Sequence, residues 1–304
     1  MALNIRKAVE QDNDPSRDPK LPPRNGRGQP NIMLPDGSKR VAYTRTSSAG
    51  DVLEDKQGLS AWKARLSAIG AHRFPHVAAD FSQITDIDDP EQKKLANSIT
   101  EQLQELMGST LKAMNGTRLH SLSEAVDRGD DVSWLSAKDR KVLDNYRRVV
   151  ERMVVEHGYR VVHTEVFGVN DTLRVAGTPD RYGFVDDQLR VVDLKTSGSM
   201  EYSVGKFAMQ MLGYAGFSLY NDINAVKGID AYGLGVGREP ILDGVEVDRT
   251  VGHIMWIPQD GSGGYFGTVD LTAAVEGYRL AEDLREWRNK WKRKAMKFTP
   301  SISV

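Results

Sequence analysis

The stretch GTPDRYGFVDDQLRVVDLKT, residues 177–196, restricts the possible folds more than any other segment of the chain. Two β-rich runs flank Asp186-Asp187, a turn pair, so the stretch predicts an antiparallel hairpin. A two-residue turn at that pair sets Val185 against Gln188 and, counting outward, Asp180 against Asp193. Directly opposed residues share a face, with Cβ atoms roughly 4.5–5.5 Å apart. Lys195, two positions beyond Asp193, projects from the same face. Applied to Asn170-Asp171, the same counting sets Glu165 against Ala176, on the face that Thr178 and Asp180 continue. A slip of one residue would turn Asp193 to the other side, so everything rests on the register.

Two carboxylates that close repel, and a divalent cation removes the conflict. The chain of 304 residues has no cysteine, which excludes disulfides, thiolate metal sites, iron–sulfur clusters and a cysteine nucleophile. Any metal must then sit on oxygen or histidine, and an oxygen-only site on a sheet suits Mg²⁺ or Mn²⁺. Such an ion beside a lysine fits metal-assisted hydrolysis of a phosphodiester. The competing reading is a solvated hairpin face with an ordinary Asp–Lys pair. Val191 and Val192 argue against it by marking the sheet as core. Net charge is −1, so local charge must carry any nucleic-acid argument.

The chain divides by composition. Residues 1–40 are polar and rich in Pro, Gly, Asp and Arg, and read as a loose arm. Residues 41–115 read as a helical lobe, with Asp89-Pro90 as a helix start. In residues 116–304 an amphipathic helix over 136–158, capped by Ser136 and stopped by Gly158, precedes the strands. A helix follows over 200–221, then strands near 229–236 and 250–258, then a last helix over 271–296. In the basic run REWRNKWKRKAMK, Trp287 and Trp291 are spaced to pack on the core with the charges outward. No apolar run reaches the ~18 residues of a membrane span and no signal segment opens the chain, so a cytoplasmic protein is expected.

Pro179-Asp180 and, twelve residues on, Asp193-Leu194-Lys195 resemble the signature of the PD-(D/E)xK nuclease superfamily. The order helix, three antiparallel strands, helix, strand is similar to its α/β, restriction-endonuclease-like core. GTRLH ending at His120, the G-x-x-D element Gly177–Asp180, and Gln210 with Tyr214 in QMLGY resemble the motifs of its RecB-type branch. The segment YTRTSSAGDVLEDKQGLSAW is similar to the opening of bacteriophage recombination exonucleases. The resemblance implies metal ligation by His120, Glu165, Asp180 and Asp193 with one or two ions. It also implies catalysis by Lys195, supported by Gln210 and Tyr214, which i and i+4 place on one helical face. The implied activity is a DNA exonuclease of recombination, repair or genome processing. Its substrates would be duplex ends or single strands, its partner a single-strand annealing or recombination protein, and it could assemble as a homo-oligomer. Two alternatives stay open: a structure-specific or restriction-like endonuclease, and a catalytically silent DNA-binding protein. The chain departs from many RecB-type relatives in lacking the cysteines of an iron–sulfur cluster, and in carrying Asp193 where Glu is common.

Overall fold

A computed structural model describes residues 18–294 apart from Asp55, Ser199, Glu201 and Tyr202. Within these, the chain forms two compact units, residues 56–136 and residues 18–54 with 137–294. The first unit is helical: α1 (Gln57–Arg73), α2 (Pro75–Ala78), α3 (Pro90–Leu106) and α4 (Leu111–Asp127). Asp89 caps α3 as its sequence predicts, accepting from the backbone N–H of Glu91 and Gln92 at 3.1 and 2.9 Å. Val77, Ile99 and Leu103 form its core. At Gly70 a Cβ would stand 3.0 Å from the Leu103 carbonyl, so α1 and α3 cross closely there and a larger residue would have to push the Leu103 backbone aside. The expected boundaries of 41 and 115 thus give way to 56 and 136.

The second unit opens with α5 (Ala137–His157), which buries Val142, Leu143, Tyr146, Val149 and Met153 at helical spacing. Gly158, at φ +60°, ends the helix. A five-stranded sheet follows in the order β12-β11-β8-β7-β4, comprising β4 (Arg160–Thr164), β7 (Arg181–Val185), β8 (Gln188–Lys195), β11 (Val251–Trp256) and β12 (Tyr265–Asp270). The strands β4, β7 and β8 are antiparallel, and β11 lies parallel to β8. Between β8 and β11 the chain passes through α6 (Val204–Ala215), the helical crossover that a parallel pair requires. Met211, Leu212 and Tyr214 of α6 join Tyr182, Leu189, Val191 and Ile254 of the sheet in the main core. The expected order of helix, three antiparallel strands, helix and strand is present. So is the expected register, with Val185 against Gln188 through to Arg181 against Val192. Asp186 and Asp187, at φ +50° and +57°, make the two-residue turn.

The second turn differs. Strands β5 (Gly168–Asn170) and β6 (Val175–Gly177) pair with Val169, not Glu165, against Ala176, so the loop spans four residues rather than two. The side chain of Asn170 accepts from Leu173 N at 3.0 Å and Arg174 takes φ +49°, which widens the turn. These strands leave the main sheet and enter a second one, β10-β9-β5-β6-β3, formed with β3 (Thr44–Arg45), β9 (Ser218–Tyr220) and β10 (Arg238–Glu239). Residues 229–236 form turns instead of a strand, and the helix expected to reach 221 stops at Ala215, where β9 claims the chain.

Residues 18–40 are folded, in contrast to the expected loose arm; residues 1–17 lie outside the described set. A hairpin of β1 (Asn31–Met33) and β2 (Arg40–Ala42) docks through a bidentate Arg40–Asp222 pair at 2.7 and 2.9 Å. Met33 N donates to the Tyr220 hydroxyl at 3.1 Å. One of the charges that read as a solvated tail, Arg40, is thus spent on a specific partner. The last helix, α7 (Thr272–Lys294), meets α6 at Gly213, where a Cβ would lie 2.4 Å from the Tyr278 hydroxyl. Trp287 on α7 is 55% exposed, not packed on the core, and the side chain of Trp291 lies outside the described residues.

Candidate active site

The open end of the β7–β8 hairpin gathers the charges that the sequence singles out. The side chain of Asp180, just before β7, accepts from the backbone N–H of Leu194 at 2.6 Å and ties its carboxylate to the neighbour of Asp193. Glu165 arrives by an unexpected route. Thr164 of β4 pairs with Arg181 of β7, and one step further Glu165 N donates to Asp180 O at 3.1 Å. The chain then breaks away toward β5, and Glu165 takes φ +52°, a left-handed conformation that costs a non-glycine residue energy. A carboxylate oxygen of Glu165 and one of Asp180 come within 4.8 Å of each other. The proximity inferred from the wrong strand pair is supplied by β4 against β7.

Asp193 is buried at 1% exposure and forms an ion pair with Lys195. An isolated carboxylate would be costly in such a place, and the ammonium offsets that cost. Lys195 also donates to Gln210 Oε1 at 3.4 Å and stands 4.5 Å from the ring centre of Phe207. Gln210 Nε2 in turn donates to the Tyr214 hydroxyl at 3.0 Å. Phe207, Gln210 and Tyr214 are three and four residues apart on α6, which aims one helical face at the lysine. Burial raises the Tyr214 phenol far above its ordinary pKa, and the negative charges of Asp193, Asp180 and Glu165 add to the rise. The phenol therefore keeps its proton and stays neutral beside the acids.

Of the histidines, His120 is half-buried on α4 in the other unit. His163 has its Nε2 2.7 Å from the Ile241 carbonyl, which accounts for it structurally. Sequence reasoning missed two residues beside the lysine. Phe207 was detectable from its spacing three before Gln210. Trp256 was not, since it reaches the site as the parallel-strand neighbour of Lys195. Its indole N–H donates to Ser197 O at 2.7 Å, closing over the end of β8.

Two acidic side chains with adjacent oxygens, and a third paired to a lysine, form a donor set for a hard divalent cation rather than a soft one. Among curated proteins, none matches this chain. The model of the PD-(D/E)XK nuclease superfamily matches residues 77–300, a span that takes in α5, the whole main sheet, α6 and the charged hairpin end. With a match over most of its length and the signature acids and lysine at the mouth of the expected hairpin, the chain belongs to the PD-(D/E)XK nuclease superfamily.

Proposed function

We propose that the protein hydrolyses DNA phosphodiester bonds with Mg²⁺ or Mn²⁺, with Glu165, Asp180 and Asp193 holding the metal and Lys195 serving the attacking water. Nucleases of this superfamily use divalent metals. The observation that carries the reading is the hydrogen bond from Leu194 N to Asp180, which fixes the two acids and the lysine at one hairpin end. When bound, a divalent ion supplies a polarised phosphoryl oxygen and a more acidic water. Lys195, as the ammonium that pairs with Asp193, would orient the attacking water and offset charge on the phosphoryl oxygens. Gln210 fixes the lysine, and Tyr214 fixes Gln210. The part of His120 as a further ligand rests on its GTRLH motif.

The order of the motifs around His120, Asp180, Lys195, Gln210 and Tyr214 favours an exonuclease of recombination, repair or genome processing. The test is linear duplex DNA with Mg²⁺. Asp193→Asn and Lys195→Ala should each lower kcat by at least about a hundredfold. Activity equal to the parent would overturn the assignment. Chelation should stop the reaction and Mg²⁺ or Mn²⁺ restore it. A covalently closed circle should be spared, and cutting of the circle would establish the endonuclease instead. Metal-independent DNA binding without cleavage would establish a silent binding protein.

A further inference from the structure

Ala274, Tyr278 and Ala281 form the buried stripe of α7, with Tyr278 against Gly213 of α6. About two turns further along, Arg285 donates to the Ala49 carbonyl. Ala49 leads into Gly50, where a Cβ would stand 3.4 Å from both Lys206 Cγ and Met209 Sδ. Lys206 is tied to the same segment, its ammonium 2.6 Å from Asp51 and 3.3 Å from Glu54. Rising numbers on α7 thus meet falling numbers on α6, so the two helices run in opposite directions. The residue after Lys206 is Phe207, whose ring backs Lys195. The C-terminal end of α7 therefore emerges at the end of α6 that faces the lysine.

That end differs in charge from the rest of the helix. Upstream, Arg279 is neutralised by Glu276 and Asp283. From Arg285 to Lys294 the sequence carries six basic residues against one acid, in a chain whose net charge is −1. Arg285 is spent on Ala49, whereas Arg288 and Lys290 are exposed, and among the described residues neither has a carboxylate within ion-pairing distance. Trp287 sits about two and a half turns beyond Tyr278, so it points away from the buried stripe, and Lys290, three residues on, shares its face. Its exposure removes the packing role that its spacing suggested and leaves an indole in water between two cations. Single-stranded nucleic acid uses such a pairing, with a base on the ring and phosphates on the cations.

We propose that the C-terminal end of α7 binds an unpaired stretch of the DNA strand that passes Lys195, with Trp287 against a base and Arg288 and Lys290 on the flanking phosphates. The proposal deepens the nuclease reading and rests on it for the identity of the ligand. A duplex offers phosphates but no open base face, so the tryptophan favours a single-stranded tail over a blunt end.

The test uses the full-length Lys195→Ala protein, so that binding is read without cutting, and two fluorescent DNA probes, a single-stranded oligonucleotide and a blunt duplex. Adding Trp287→Ala should weaken single-strand binding about five- to a hundredfold and leave the blunt duplex unchanged, and Trp287→Tyr should recover most of the loss. Adding Arg288→Ala or Lys290→Ala should each flatten the dependence of log single-strand affinity on log salt by about 0.7. Because Trp287 is exposed, its removal should leave the urea midpoint in place, which separates lost contact from lost fold. With Lys195 intact, Trp287→Ala should raise KM on a tailed duplex while kcat holds. Unchanged single-strand affinity in Trp287→Ala, or an equal loss on the blunt duplex, would overturn the contact, and a parent that cuts DNA would keep the nuclease reading intact. Single-strand binding that depends on Trp287 in a parent that cuts nothing would sink the hydrolase and leave the contact standing.

Discussion

Two turns in this chain carry nearly the same sequence signal and fold differently. Asp186-Asp187 makes the tight hairpin its sequence predicts, whereas Asn170-Asp171 opens into a four-residue loop. The difference lies in what else wants the side chains. Asp187 is almost fully exposed, and Asp186 is held at the surface, its backbone N–H on His157 O at 2.8 Å and its half-exposed carboxylate on the His157 ring at 3.0 Å. Asp171, in contrast, accepts from the Tyr43 hydroxyl at 2.7 Å and from Arg238 at 2.7 and 3.2 Å. Asn170 is buried and donates to the Gly213 carbonyl at 3.3 Å. A turn keeps its local geometry when water is its main competitor and loses it when buried partners recruit its side chains.

The sharpest way to break the contrast is Asp171→Ala. The Arg238 side chain is 0% exposed, so losing its carboxylate leaves a buried cation without its partner. Unfolding in urea should show a loss of about 3–5 kcal/mol, and a loss below about 1 kcal/mol would show that the wide loop does not depend on that pair.

A middle-sized effect separates the two turns by pH. His253, beneath the narrow turn, is buried, stacked on Phe266 with ring centres 4.8 Å apart, and has its Nε2 3.2 Å from Arg190. Burial, followed by the charge of Arg190, lowers its pKa to about 4. The unfolded chain therefore binds this proton more tightly than the folded one. Stability should be fully present above about pH 6.5 and fall as pH drops toward 4, by about 2 kcal/mol. In His253→Phe that slope should flatten, while a slope unchanged from the parent would assign the acid sensitivity elsewhere.

The smallest effect belongs to Asp187→Gly. At φ +57° the turn position suits glycine better than aspartate, so stability should rise by about 0.5 kcal/mol. A loss of more than about 1 kcal/mol would mean that the aspartate has a role beyond the turn.

What was legible in the sequence follows the same division. The hairpin register, the Asp89 cap, the Gly158 stop and the Gln210–Tyr214 spacing are set within a few residues, and each appears as read. The fold class was equally open, because the helix–strand order alone specifies it. Glu165 was read as close to Asp180 through the wrong strand pair, since the departure of the chain at φ +52° has no local marker. The docking of residues 18–40 was hidden because Asp222, the partner of Arg40, is far away in sequence. Trp256 was invisible for the same reason, being placed by a strand that meets Lys195 only after α6 has crossed over.

The pairing of β3 with β6 has a consequence for how the chain is made. Thr44 leaves the ribosome before its strand neighbour Val175, which follows about 130 residues later, after the entire helical unit. That edge of the second sheet must wait unpaired while α1 to α4 are synthesised, and closing so long a loop is slow. The helical unit has every chance to mature first, and the second sheet becomes whole only when its oldest strand finds one of its younger ones.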